Sequence, residues 1–196
     1  MRIYLIRHGE VENPKHILYG RLPGFHLSKQ GKIEIQQTVM KLKSSKAKIL
    51  KIYTSPLERA VETAEIIAKA FNISPSNIIK EDRIIEVNTG KWEGCPLEKF
   101  HENYNQIRQE KALGDPTDTG SKVLSLINKA AKDDNDCAII SHWDPIMAAA
   151  ALIKNDWNFF QTGYIKTGDY FVLNNESGNW KVEDENLFNS SRANHR

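Results

Sequence analysis

Apolar runs alternate with amphipathic segments along most of the 196-residue chain, and this order limits the folds that are possible. The runs at 3–6, 48–53 and 136–141 predict buried strands. Between them, apolar residues at helical spacing predict a helix capped by Ser28 and a second helix with Pro56 in its first turn. Strands that alternate with helices predict an α/β fold, a three-layer α/β/α sandwich with a mostly parallel sheet and helices on both faces.

The second half of the chain continues this pattern and ends differently. Helices are predicted over 119–132 and 145–153, and the second is rich in alanine. Two short strand patterns, 169–173 and 180–182, are joined by the turn-forming sequence NNESGN and predict a hairpin. The last residues, 189–196, are predicted to be frayed.

The length of 196 residues suits one domain with a core of its own. We therefore predict a single domain over 1–196. The polar segment 96–118 interrupts the alternation of strands and helices and is interpreted as a short cap insertion.

The composition limits the cellular compartment and the binding partners that we expect. A formal net charge of +2 gives no broad positive field, so we expect no nucleic-acid partner and no membrane partner. No apolar run approaches the ~20 residues of a membrane span, and the first apolar run is too short for a signal peptide. Two cysteines without metal-ligand spacing fit a reducing, cytoplasmic setting. The exposed edge of the predicted hairpin makes a homodimer an expectation.

Residues suited to phosphate binding follow several predicted strands. Arg7 and His8 follow the first strand, Arg59 lies just after the second, Glu86 follows an apolar run at 83–85, and His142 follows the strand ending at 141. Ligands of parallel sheets bind at the carboxyl ends of the strands, so these residues are predicted to meet at one edge. Two arginines and two imidazoles there suit a dianionic phosphate.

Each of these residues has a plainer interpretation when it is taken alone. A single histidine after a strand is often structural, and Glu86 suits a surface position. Arg59 lies in a helix first turn, where the helix dipole disfavours a cation, and it could pair with Glu58 or Glu62. An anion between Arg59 and the helix end would remove that conflict. The coincidence at four sites favours a phosphate site over four unrelated structural roles.

Four motifs, taken in order, resemble those of the histidine phosphatase superfamily, the phosphoglycerate mutase-like proteins. They are LIRHGE at 5–10, TSPLERAVETA at 54–64, Glu86 followed by GKWEG at 90–94, and ISH at 140–142. The resemblance implies a phosphoglycerate mutase-like fold. It also implies that His8 is a nucleophile that forms a phosphohistidine, with Arg7, Arg59 and His142 holding the phosphoryl oxygens. Glu86 is then the general acid, and neither a metal nor a cofactor is needed.

The sequence departs from the family pattern at positions that bear on which residues contact the substrate. The family's asparagine stands one position earlier than usual, as Asn13, and the residues after His142 are Trp143 and Asp144. We predict substrate contacts for Asn13, Arg21 and Trp143. Core packing of Trp143, a helix-capping role for Asp144 and a solvated Arg21 are the alternatives.

The motifs do not separate hydrolysis from phosphoryl transfer between substrates. The predicted cap is short, and its firm cations are Lys99, Arg108 and Lys111. This favours a phosphomonoester hydrolase, a histidine acid phosphatase-like phosphomonoesterase, acting on small phosphorylated metabolites over a phosphoglycerate mutase-type phosphomutase. A phosphoprotein (phosphohistidine) phosphatase and a non-catalytic phospholigand sensor are further alternatives, although a sensor needs neither His8 nor Glu86.

Overall fold

The computed structural model describes residues 1–109, 113–133, 135–176 and 178–183. These residues form a six-stranded sheet in the order β3-β2-β4-β1-β5-β6. Its strands are β1 (Arg2–Arg7), β2 (Lys51–Thr54), β3 (Ile78–Lys80), β4 (Cys137–Ser141), β5 (Tyr170–Glu176) and β6 (Asn179–Glu183). The first four strands are parallel, and β5 and β6 complete the sheet as an antiparallel hairpin. The predicted hairpin and the mostly parallel sheet are therefore confirmed.

Helices cover both faces of this sheet, as the alternation of elements predicts. They are α1 (Lys29–Ser44), α2 (Glu58–Phe71), α3 (Leu97–Glu102), α4 (Tyr104–Gln109), α5 (Pro116–Ala130), α6 (Trp143–Lys154) and α7 (Trp157–Thr162). Side chains of α1 and α2 share one hydrophobic cluster with the sheet, and those of α5, α6 and α7 share the other. The predicted α/β/α sandwich is confirmed.

Strand β1 shows why its residues need two covered faces. Ile3 and Leu5 lie in the cluster beneath α5 and α6, whereas Tyr4 and Ile6 lie in the cluster beneath α1 and α2. All four are at most 1% exposed. A central strand buried on both sides loses the polar alternation of a half-exposed strand, which explains the continuous apolar run in the sequence.

The structure corrects several predicted boundaries. The apolar run at 83–85 lies in no strand: it overlaps a 3₁₀ turn at Asp82–Ile84, because the Glu81 carboxylate caps the turn and binds the Arg83 side chain. Pro56 lies before α2, which begins after Leu57 as its cap residue. Helix α5 begins at Pro116, within the segment predicted to be a cap, because Asp115 caps it by accepting from the Thr117 N–H.

The remainder of the predicted cap shares a small hydrophobic cluster with the loop that precedes it. The buried members are Val87 from that loop and Phe100, Ile107 and Leu113 from the cap, with Trp92 and Tyr104 packed against them. The single-domain prediction stays a prediction, and the predicted frayed tail at 189–196 lies outside the described residues. Within the described ranges, no helix is both long and apolar enough to cross a membrane.

Candidate active site

Backbone hydrogen bonds join the carboxyl ends of three neighbouring strands. The His8 N–H donates to Ser141 O at 3.1 Å, and the Ser55 N–H donates to Ile140 O at 2.9 Å. The loop after β1 and the loop after β2 are thereby both held against the end of β4. This edge of the sheet brings together Arg7, His8, Arg59 and His142.

His8 has both ring nitrogens in defined contacts. Its Nδ1 lies 2.8 Å from its neighbour's carbonyl, Gly9 O, and its Nε2 lies 3.2 Å from Arg59 Nε. A carbonyl accepts and a guanidinium donates, so the proton is on Nδ1 and the lone pair is on Nε2. Burial, together with the charges of Arg59 and Arg7, holds the pKa of His8 well below its usual 6.5. The ring is therefore neutral at physiological pH, with Nε2 ready to act as a nucleophile.

Gly9 allows this loop to lie close to helix α1. A Cβ atom on Gly9 would come within 2.6 Å of the Gly31 carbonyl oxygen, closer than real Cβ contacts. The Gly9 N–H also donates to Thr63 Oγ1 at 3.3 Å. The carbonyl that orients His8 is thus fixed by two neighbouring helices.

Arg59 is fully buried in the first turn of α2, where the sequence raised a conflict with the helix dipole. Its Nη2 donates to Gly20 O at 2.8 Å, and its guanidinium lies 4.8 Å from the centre of the Tyr19 ring. At the end of β1, Arg7 Nη1 donates to Ile165 O at 2.7 Å. Loop carbonyls and a ring therefore orient both guanidinium groups.

His142 is fully buried and lies beside His8, with 5.0 Å between the ring centres. Its Nε2 is 2.7 Å from Ser55 Oγ. Burial and the charges of Arg59, His8 and Arg7 keep its pKa well below 6.5, so this ring is neutral too. His142 precedes α6 as its cap residue, which leaves Asp144 in the first turn rather than at the cap.

Three buried nitrogens in this cluster have no hydrogen-bond partner among the described residues. They are Arg7 Nε, Arg59 Nη1 and His142 Nδ1. Buried polar nitrogens are normally satisfied, so three unpaired ones beside a nucleophilic imidazole are an exception. A phosphoryl group bound next to His8 Nε2 would supply acceptors for the two arginine N–H groups, and for His142 if its proton is on Nδ1.

Glu86 is the acid of the cluster. Its Oε1 accepts from the Val87 N–H at 2.8 Å. Burial is the main cause that raises its pKa to about 7, and the negative charge of Asp144 adds to the rise. A carboxyl group with that pKa can both give and take a proton near neutral pH. Asp144 is a residue whose effect on Glu86 the sequence did not indicate.

The remaining predicted substrate residues have local contacts. Both ends of the Asn13 amide bond the Ile17 backbone, so this side chain shapes its loop. Arg21 Nε donates to Glu86 O at 2.6 Å, and the charge of Arg21 contributes to the lowered pKa of His142, which places Arg21 beside the site. Trp143 packs on Phe160 with ring centres 5.4 Å apart and joins the hydrophobic core, in line with the packing alternative.

Two residues of the site were missed in the sequence. Gly20 provides the carbonyl that holds Arg59, and Tyr19 provides the ring beneath its guanidinium. The only signal was the glycine-containing loop GRLPG at 20–24, which predicts a turn but not its contact with Arg59. The described part of the chain contains no group of three or more His, Cys, Asp or Glu residues that could hold a metal ion.

Comparison with known protein families agrees with this geometry. The model of the histidine phosphatase superfamily (branch 1) matches residues 3–187. The chain belongs to the histidine phosphatase superfamily. This membership confirms the resemblance drawn from the four motifs.

The named activities of the chain's curated relatives include a mutase and a phosphatase. The chain is 30% identical over 152 residues to a 2,3-bisphosphoglycerate-dependent phosphoglycerate mutase of Thermoplasma acidophilum, a match covering 74% of this chain and 72% of that protein. It is 39% identical over 108 residues to phosphoserine phosphatase 1 of Hydrogenobacter thermophilus, covering 53% and 47%. Curated relatives that are 44% identical over 73 residues are matched across only 35% of their own length.

The fold is shared with solved structures of low sequence identity. Mycobacterial glucosyl-3-phosphoglycerate phosphatase superposes with a TM-score of 0.77 at 18% identity, over 97% of this chain and 99% of that chain. The superfamily therefore includes phosphatases and mutases, and the relatives support an enzyme of this general kind.

Proposed function

We propose that this member of the histidine phosphatase superfamily is a metal-independent phosphomonoester hydrolase that acts on small phosphorylated metabolites through a phosphohistidine at His8. The observation that carries the proposal is that both nitrogens of the His8 ring have defined hydrogen-bond contacts. Gly9 O holds the proton on Nδ1 and leaves the lone pair on Nε2, which lies 3.2 Å from Arg59 Nε in a cluster with three buried nitrogens that are unpaired within the described residues.

The first chemical step forms a nitrogen–phosphorus bond. His8 Nε2 attacks the phosphorus, and the ester oxygen leaves as the phosphorus–oxygen bond breaks. Glu86, protonated below its pKa of about 7, gives its proton to that oxygen. Arg7 and Arg59 supply the positive charge that stabilises the phosphoryl oxygens, which in other phosphatases is often the work of a metal ion.

The second step regenerates the enzyme. Glu86, now ionised, takes a proton from a water molecule, and the resulting hydroxide attacks the phosphorus of phospho-His8. The nitrogen–phosphorus bond breaks, inorganic phosphate leaves, and His8 returns to its neutral form. The protons balance over the two steps, since Glu86 ends protonated as it began.

Phosphoglycerate mutase-type activity is the second candidate, because one relative at 30% identity is a phosphoglycerate mutase. Hydrolysis and mutase chemistry share the first step and differ in what receives the phosphoryl group. The short cap favours water as the acceptor. Of its three cations, Lys99 is exposed on α3, whereas the Arg108 side chain and Lys111 lie outside the described part of the chain.

The test is release of phosphate from an aryl phosphate in the presence of a chelator, with the His8→Ala variant alongside. The proposal predicts turnover that survives the chelator and is lost in His8→Ala. His101→Ala, which removes an exposed histidine of α3, is the matched control and should keep full activity. Transfer between phosphoglycerates without phosphate release would support the mutase, and phosphate binding with no turnover by the folded protein would support a sensor.

A further inference from the structure

Ser55 makes a buried contact with His142 that the reaction steps above do not use. Its Oγ lies 2.7 Å from His142 Nε2, and both residues are fully buried. The backbone N–H of Ser55 donates to Ile140 O, two residues before His142. The hydroxyl group and the imidazole are therefore held at a fixed separation by the pairing of the loop after β2 with strand β4.

A count of protons decides the direction of this hydrogen bond. The neutral His142 ring carries one N–H, on either Nδ1 or Nε2. Ser55 Oγ already faces a donor, the Leu57 N–H at 3.4 Å. Among the described residues, the acceptor within reach of the Ser55 hydroxyl proton is His142 Nε2. Donation from Ser55 Oγ to Nε2 therefore gives the hydroxyl proton an acceptor, whereas the opposite direction leaves that proton without one in the described part of the chain.

The other nitrogen then carries the proton. His142 Nδ1 is buried and unpartnered within the described part of the molecule, and the ring lies beside His8 and near the two arginines. With the proton on Nδ1, the ring presents an N–H donor on the side away from Ser55. In the opposite tautomer that side would present a lone pair, which repels an anionic phosphoryl oxygen.

We propose that Ser55 is a positioning residue that holds His142 in its Nδ1–H tautomer, so that this N–H donates to a phosphoryl oxygen of the substrate. The inference rests on the proposed function in that it places the phosphoryl group beside His8. It adds a residue, Ser55, that acts on the substrate only through the His142 ring.

The first test reads the tautomer directly in the wild-type protein. Long-range ¹H–¹⁵N NMR of the ligand-free enzyme separates the two tautomers, and a His142→Gln variant assigns the signals. The proposal predicts a neutral ring protonated at Nδ1. A ring protonated at Nε2 in the wild-type protein overturns it, whatever activity the enzyme shows.

The second test removes the hydroxyl group. In Ser55→Ala the His142 signals should move towards the Nε2–H form, and binding of inorganic phosphate should weaken by about 10-fold or more, since a hydrogen bond to an anion is lost. Thr54→Val is the matched control: it removes a buried hydroxyl one residue away that bonds a backbone carbonyl and does not touch the ring. Ser55→Thr, which retains a hydroxyl, should restore the Nδ1–H signal.

These readouts do not depend on turnover. Unchanged His142 signals and unchanged phosphate binding in Ser55→Ala would overturn the role of Ser55 even if hydrolysis is found. Failure of hydrolysis with an Nδ1–H ring and Ser55-dependent phosphate binding would instead contradict the proposed function alone.

Discussion

Glu86 and Asp144 come from different elements, and their charges interact beside the phosphate site. If Glu86 is the general acid, kcat/KM should fall as the pH rises above about 7, because the proton that Glu86 must donate is lost. On the acidic side, kcat/KM should begin to fall only well below pH 6.5, where His8 becomes protonated. A pH–rate profile with an aryl phosphate checks both limits.

The Asp144→Asn variant tests the cause of the raised pKa. Removal of the Asp144 charge should lower the pKa of Glu86 and shift the alkaline limb of the profile to lower pH. Asp118→Asn, which removes an exposed carboxylate paired with Lys122, should leave the limb in place. Because every protein is assayed with the same substrate, ionisation of the substrate affects all the pH–rate profiles equally and cancels when they are compared. An alkaline limb that does not move in Asp144→Asn would show that Asp144 does not control Glu86.

Individual residues of the site could be predicted where chemistry and strand position agreed. Arg7 ends β1, His8 and His142 directly follow β1 and β4, and Arg59 lies in the first turn of the helix after β2, so the sheet topology places all four at one edge. Gly20 and Tyr19 could not be predicted, because their contact with Arg59 depends on the path of a long loop. The Ser55 contact depends on the register of β2 against β4, which the sequence does not state.

At the scale of elements, helices α5 and α6 approach closely at Gly120. A Cβ atom there would lie 2.7 Å from the Ala148 carbonyl oxygen and 2.7 Å from Leu152 Cδ1. The Gly120→Ala variant gains helix propensity, worth up to about 1 kcal/mol, but must move one backbone against the other. We expect a net destabilisation of about 1–2 kcal/mol.

Urea denaturation measures this change. Ser121→Ala, an exposed change on the same helix, is the control and should leave the unfolding midpoint the same or slightly higher. A Gly120→Ala protein as stable as wild type would mean that α5 and α6 are less closely packed than the structure has them.

The elements themselves were predictable where apolar periodicity was strong and failed where local polar contacts decided the backbone. The apolar run at 83–85 lies in no strand, because Glu81 caps a 3₁₀ turn there. Helix α7 was missed because it has only six residues. Its signal was Asp156, whose carboxylate accepts from the N–H groups of Asn158 and Phe159.

For the whole molecule, two buried neutral histidines and one protonated acid link stability to pH. Unfolding lets His8 and His142 take up protons below their usual pKa of 6.5, and it lets Glu86 release one above its usual 4.5. Near pH 5.5, where an unfolded histidine is mostly protonated and an unfolded glutamate is mostly ionised, the unfolded chain therefore binds about one more proton than the folded one, and this difference shrinks towards pH 6.5. The free energy of unfolding should fall by about 1.4 kcal/mol per pH unit as the pH decreases.

Urea unfolding at several pH values gives this slope, and the Glu86→Gln variant sharpens the test. Because Gln releases no proton, the slope should become about twice as steep in that variant. Equal slopes in the two proteins would mean that Glu86 is already ionised in the folded state across this range.

The assembly of the chain and its compartment rest on the sequence alone. The homodimer expected from the hairpin edge, the cytoplasmic setting and the absence of a nucleic-acid partner stay predictions. The fold as a whole does explain why the site residues lie together. The parallel sheet aligns the carboxyl ends of β1, β2 and β4, and the three loops that follow these strands meet around one imidazole.

The central claim is that this imidazole carries the phosphoryl group. The most direct measurement is mass spectrometry of the enzyme mixed with an aryl phosphate, quenched in alkali to preserve phosphohistidine, and digested. We expect one added phosphoryl group on the peptide containing His8 and none in His8→Ala. Steady release of phosphate with no phosphorylated His8 at any time after mixing would contradict it.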